Sequence, residues 1–284
     1  MKDYLTVKSN QVSRVKDYSN HMVSFIIPNW NHKKMLSECI ASIYAANDSI
    51  LKDVIVVDNA STDGSSEYTK NMYPDTLWIQ NDTNLGFAKA VNQGILLSKG
   101  DFLFLLNNDI KLMEDTTEKL LALLLENPDI GAAAPVLYYP NGKIQISCRR
   151  FPTPSALFLE LLGINKVGTF RPWKLREEDH FHASTVLQPM ASALMVKRFC
   201  WDTVGPLDEQ FPVLFNDVDW CYRLYKHTNY KIYLYPEARA IHHEGASVNR
   251  LGFRKNIEFF KGLMKFYLKH FISIPSKQSK EHIT

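Results

Sequence analysis

The stretch Val54-Ile-Val-Val-Asp58-Asn-Ala-Ser61-Thr-Asp-Gly-Ser65 decides the fold class. Four β-branched residues in a row, closed by an acid, read as a strand buried on both faces, because a half-exposed strand would alternate. The Ser, Thr, Asp and Gly that follow suit a loop opening a helix to about Tyr73. The same strand-then-helix unit recurs on either side. Val23 to Pro28 is a short β run, and residues 33–47 carry apolar side chains at helical spacing. Thr76 to Gln80 and Phe102 to Leu106 read as strands, and Phe87 to Ser98 as a helix. Asp115 with Glu118 has the spacing of a capping box for a helix ending near Pro128. Such alternation predicts an α/β fold, with a mostly parallel central sheet flanked by helices.

Polar clusters stand at three predicted strand ends: residues 28–31, 58–61 and 107–109. Open α/β sheets bind ligands at the carboxyl ends of their strands, so a polar-ligand site is expected there. Residues 140–180 are rich in Pro and predict long loops. Leu187 to Val196 reads as a strand region, Asp217 to Lys226 as a short helix, Ile232 to Tyr235 as a strand, and Phe253 to Phe271 as a long helix.

Composition narrows the classes. The chain has 284 residues, 45% of them hydrophobic and 22% charged, which excludes a disordered or low-complexity protein. A net charge of +3 is too small to argue for nucleic-acid binding. No apolar run reaches the length of a membrane span, and residues 1–22 lack the apolar core of a signal peptide, so a cytoplasmic location is expected. The four cysteines (Cys39, Cys148, Cys200, Cys221) are far apart and should be free thiols. Neither Gly-x-Gly-x-x-Gly after the first strand nor a P-loop is present, which removes the main support for a dinucleotide or P-loop site.

Six segments, in order, resemble family 2 glycosyltransferases of GT-A fold, with a rhamnosyltransferase-like flavour. They are Val23–Asn31, Val56–Ser65, Asn84–Gly94, Leu105–Asp109, Phe215–Cys221 and His242–Ser247. The resemblance covers roughly residues 22–271. It implies a nucleotide-sugar half (22–136), an acceptor half (137–250) and an amphipathic C-terminal helix (251–271), between an N-terminal extension (1–21) and a tail (272–284).

The implied activity is inverting transfer of a hexosyl or deoxyhexosyl group, rhamnosyl included, from a dTDP- or UDP-sugar. The implied acceptor is a saccharide or lipid-linked saccharide in cell-surface polysaccharide synthesis. Asp109 would ligate Mn²⁺ or Mg²⁺ together with His242, with His243 as the alternative. Such a cation offsets charge on a departing diphosphate. Asp217 would be the base that takes the acceptor proton. On the donor side stand Pro28, Asn31, Asp58, Asn84, Gly86, Lys89, Asn107, Asn108 and Arg250. On the acceptor side stand Ala191, Ser192, Asp219 and Trp220. Each has a competing structural role: strand-end turn, helix cap, solvated face or core packing.

The sequence departs from the family pattern at Asn107-Asn108-Asp109, with one carboxylate where two are usual, and at Asn216, where an acid is common. These departures keep a non-catalytic nucleotide-sugar or glycan-binding protein as an alternative. A sugar-phosphate nucleotidyltransferase is the other, although residues 28–31 lack its Gly-rich basic loop. The aromatic and lysine-rich C-terminal helix suits docking at the inner face of the plasma membrane, packing on its own domain, or a homodimer contact.

Overall fold

Apolar runs become the middle of a sheet, because only a strand covered on both faces keeps every side chain from water. In the computed structural model, which describes residues 17–46, 48–162, 173–243 and 254–272, these runs build a nine-stranded sheet. Strands β1 (Met22–Asn29), β2 (Leu51–Asn59), β3 (Leu77–Asn81) and β4 (Phe102–Leu106) lie in the order β3-β2-β1-β4, all parallel. Helices α1 (Lys33–Tyr44), α2 (Ser65–Met72) and α3 (Phe87–Leu97) make the crossovers. This half matches the expected strand–helix alternation.

Beyond β4 the sheet is mixed. It continues through β10 (Ala193–Lys197), β6 (Ile130–Tyr138), β11 (Lys231–His242) and β5 (Ile110–Leu112), with β8 (Ser184–Val186) paired to β11. β10 runs antiparallel to both neighbours because it enters from the carboxyl edge, Ala193 lying opposite Leu106 at the end of β4. β6 and β11 are parallel, and β5 folds back antiparallel on β11. A separate ribbon pairs β7 (Cys148–Arg149) with β9 (Gln188–Pro189).

The faces of the sheet carry two cores. Ile26, Leu103 and Leu105 pack with Val91, Trp201, Trp220 and Phe266 from α3, α6 (Arg198–Val204), α7 (Asn216–His227) and α8 (Arg254–His270). Phe25, Ile27 and Phe104 pack with Leu36 and Ile40 from α1 and with Leu120, Leu121 and Leu124 from α4 (Thr116–Glu126). Alternate residues of each strand serve opposite cores. Each such side chain stabilises the fold by roughly 1.5–3 kcal/mol before entropy is counted.

As expected, residues 61–65 open α2, which begins at Ser65 after Gly64 in the left-handed region (φ 74°). Local expectations fail at three places. The capping box at α4 does not form; Asp115 instead pairs with Lys119 at 2.6 Å. Residues 187–196 break into β9 and β10. β11 has twelve residues instead of the four expected, and its extra length carries His242 to the site.

Candidate active site

The three polar clusters meet at the carboxyl edge through Asn29, the last residue of β1, which is 1% exposed. Its amide donates to Asp58 Oδ1 (2.7 Å), Ser61 Oγ (3.1 Å) and Ser65 Oγ (3.2 Å). Its oxygen accepts from Asn108 Nδ2 (2.7 Å), which also donates to the Asn31 carbonyl (3.2 Å). One side chain thus ties together the ends of β1, β2 and β4.

Asp58 is fully buried. It accepts hydrogen bonds from Asn29, from the backbone N–H and hydroxyl of Ser61, and from Gln80 Nε2 (2.7 Å). A carboxylate offers about four acceptor positions, so those of Asp58 are filled by the protein. Here it fixes the loop wall. The loop is held in costly backbone: Asn31, His32 and Ala60 all have positive φ (63°, 68° and 60°). Asn31 secures it by donating from its N–H to Ser61 Oγ (2.7 Å) and accepting from the Thr62 N–H (2.9 Å). Pro28 is half-buried beside it.

The 84–87 turn links this wall to the second half of the chain. Asn84 Oδ1 accepts from the Gly86 N–H (3.0 Å), and the Phe87 N–H donates to the Pro212 carbonyl (2.7 Å). Gly86 has φ 84°, and a Cβ there would lie 2.7 Å from the Pro212 oxygen, so glycine is required twice over. Lys89 stands exposed on the first turn of α3.

Asp109 follows β4 and is 4% exposed. Pairing of β11 with β5 sets His242 opposite Ile110, and the His243 N–H donates to the Asp109 carbonyl (3.1 Å). His242 Nδ1 lies 2.8 Å from Gln145 Oε1, a contact that suits a ring proton on Nδ1. Nε2 is then a lone pair, 3.3 Å from Asp109 Oδ1, itself buried without a hydrogen-bond partner. Two buried acceptors face to face repel unless a cation joins them. A divalent ion with oxygen ligands near 2.1 Å sets neighbouring ligands about 3 Å apart. The pair therefore fits a metal, with His242 oriented from behind by Gln145. Among the described residues no group of three or more His, Cys, Asp or Glu is placed to hold a metal. Two protein ligands leave room for phosphate and water, as Mg²⁺ and Mn²⁺ sites with nucleotides require.

Asp217 is the second residue of α7, after Phe215 in left-handed backbone (φ 72°). Its Oδ1 accepts the Val218 N–H (2.8 Å) and its Oδ2 accepts Gln188 Nε2 (3.1 Å). Burial pushes its carboxyl above the ordinary aspartate range, while the Arg149 charge and the Val218 and Ala191 N–H groups pull the other way. Two bridges of contacts join it to Asp109. The Ser192 carbonyl, next to Ala191, accepts the Asn107 N–H (2.9 Å). Gln145 touches His242, and Arg149, four residues on, acts on Asp217. Ala191 and Ser192 thus lie on a path of contacts between Asp217, at the start of α7, and the strand end that carries Asp109.

Two expected acceptor contacts need correction. Asp219 is fully buried and held by Arg223 (2.9 Å), Lys269 (2.7 Å) and His270 (2.7 Å), on the opposite side of α7 from Asp217. Trp220 is 1% exposed, stacks on Trp201 and donates to the Gly205 carbonyl (3.0 Å). Both belong to the interior. Arg250 lies outside the described residues. Asn29, Gln80, Gln145, Arg149 and Gln188 were not singled out from the sequence. Gln80 is the cross-strand partner of Asp58 in β2 and β3.

The family model described as "Glycosyl transferase family 2" matches residues 24–189. The chain belongs to glycosyltransferase family 2. Among relatives, the N-acetylglucosaminyl-diphospho-decaprenol L-rhamnosyltransferase of Mycobacterium tuberculosis is 28% identical over 76% of this chain and 74% of its own length. An uncharacterised protein, y4gI, of Sinorhizobium fredii is 26% identical over 84% of this chain, which spans only 27% of that longer protein. The mannosyltransferase PcManGT of Pyrobaculum calidifontis, solved with GDP-Man and Mn²⁺, superposes with TM-score 0.58 at 18% identity, covering 90% of this chain and 66% of that one. That likeness carries the GT-A fold of this family 2 chain.

Proposed function

We propose that the protein is an inverting glycosyltransferase that moves a hexosyl or deoxyhexosyl group from a dTDP- or UDP-sugar to a hydroxyl of a saccharide acceptor. The observation that carries this is the bare, buried Asp109 Oδ1 facing His242 Nε2, with a hydrogen-bonded Asp217 at the start of α7. Asp109 and His242 would hold the divalent ion, which when bound offsets charge on the leaving diphosphate. The loop of Pro28 and Asn31, held by Asp58 and Asn29, and the turn of Asn84 and Gly86 frame the nucleotide. Lys89, with Arg250, supplies positive charge for the phosphates. Asp217 takes the proton of the acceptor hydroxyl as its oxygen attacks the anomeric carbon, on the face opposite the departing diphosphate. The small residues Ala191 and Ser192 leave space for the acceptor ring.

The mycobacterial relative's name joins a deoxyhexose to a lipid diphosphate acceptor, which favours the deoxyhexosyl branch and a lipid-linked acceptor in polysaccharide assembly. One face of α8 supports work at a membrane surface. Ile257, Phe260, Met264, Leu268 and Phe271 are exposed along it among basic residues. Among the described residues no helix is long and apolar enough to cross a membrane.

The amides at 108 and 216 count against a non-catalytic reading, since each has a donor's role in the fold. The test is a panel of dTDP- and UDP-sugars with Mn²⁺, scored by thermal stabilisation and nucleoside diphosphate release. Binding of a donor without release under any condition would leave only a binding protein. Equal release by wild type and Asp217→Asn would remove Asp217 as the base.

A further inference from the structure

Strands β7 and β9 have two residues each and pair apart from the main sheet. So short a ribbon is not stable alone, and here it is pinned at several points. His180 Nε2 accepts the N–H groups of Ser147 (3.2 Å) and Cys148 (3.3 Å), while its Nδ1 meets the Arg176 carbonyl (3.0 Å). The Arg149 guanidinium lies 5.0 Å from the centre of the Trp173 ring. Arg149 and Gln188 are direct cross-strand partners, so their side chains leave the ribbon on the same face. That face meets Asp217. Gln188 is fully buried, and its amide donates to Asp217 Oδ2 (3.1 Å) and to the Pro189 carbonyl (3.1 Å).

We propose that Gln188 and Arg149 are positioning residues for Asp217: the amide sets the direction of Oδ2, and the guanidinium, leaving the same face of the ribbon, supplies positive charge on the side of the carboxylate. This rests on the reading of Asp217 as the base. A buried carboxylate left alone takes up a proton near neutral pH and cannot accept another. The groups around Asp217 leave that positive charge to Arg149. Cys148 on β7 and Cys221 one turn along α7 are buried thiols, both raised by burial and uncharged at neutral pH. Asp219 and Arg223 on α7 pair with each other on its far side. The Val218 N–H fixes Oδ1 while Gln188 fixes Oδ2, so the direction of the carboxylate is set from both ends.

The deciding measurement is a pH titration of the Asp217 carboxyl by ¹³C NMR on the full chain labelled at aspartate Cγ, with the signal assigned by its loss in Asp217→Asn. Arg149→Met should make Asp217 a roughly tenfold weaker acid, Gln188→Leu about threefold weaker, and Arg149→Lys should restore most of the loss. With the sugar nucleotide that the donor panel identifies, the acid limb of turnover should move up by the same factors. In that assay kcat should fall more than donor KM rises. The proposal is overturned if Asp217 titrates in Arg149→Met as in wild type. Because Arg149 is half-buried and Gln188 is interior, the arginine variant decides the matter even if Gln188→Leu fails to fold. Should Asp217→Asn transfer sugar normally, the base assignment falls, while the titration still judges the ribbon.

Discussion

An amide can donate a hydrogen bond and a carboxylate cannot, and that difference explains two asparagines at this site. Asn108 spends its donor on Asn29 and Asn31. Asn216 donates to the carbonyls of Phe211 (3.2 Å) and Val213 (3.1 Å), closing the loop that precedes Asp217. Asn216→Asp should cost about 1–3 kcal/mol in urea unfolding at neutral pH, because two buried carbonyls lose a donor and gain a charge. Asp217→Asn should slow sugar transfer by about 10²–10⁴. The same change should raise stability at neutral pH. A carboxyl whose folded pKa is raised costs stability above that pKa and none below its unfolded value, so the gain should vanish when unfolding is measured in acid. For the same reason wild-type activity should be lost on acidification at a pH that lies above the ordinary aspartate range, and be kept on the alkaline side. Gln145→Leu should weaken Mn²⁺ binding by about 10–100-fold, read by electron paramagnetic resonance, since His242 loses the oxygen that fixes its tautomer.

At the scale of elements, α8 is a brace for the start of α7. Phe266 is fully buried, Lys265 donates to the Gln210 carbonyl (2.9 Å), and Lys269 reaches Asp208 (2.6 Å) as well as Asp219. Gly262 lies against Phe215, the residue in left-handed backbone just before α7; a Cβ there would sit 2.6 Å from the ring. Gly262→Ala should therefore push α8 outward, lowering the melting temperature by several degrees in calorimetry. Packing on its own domain, one of the three roles the sequence left open for this helix, is thus realised on its inner face. Its period of hydrophobic residues was legible. Which stripe faces inward was not, because both stripes are apolar.

Across the whole molecule, the two cores enclose all four thiols, each buried and free. Burial pushes Cys148 and Cys200 up to about 12. Ellman's reagent should find no fast-reacting thiol among them until the fold is opened with denaturant, as thiolate is the reactive form. The strands of the first half, the edge that gathers polar clusters and the helices between them were all readable in the chain. Hydrophobic period, turn residues and apolar run length are short-range signals, and they act before any distant contact forms. The second half was read less well. Gln145, Arg149 and Gln188 sit in segments without periodicity, and their roles arise only from partners tens of residues away.

Local pattern alone determined that this chain makes an α/β sheet with Asp58 and Asp109 at its carboxyl edge. Tertiary structure alone decided that His242 faces Asp109, because β11 shifts register between Tyr235 and Arg239 before it meets β5. It also decided that Asp219 and Trp220 turn inward while Asp217 faces the ribbon. A strand's register and a helix's rotation are set by everything packed around them, and no stretch of a few residues carries that information.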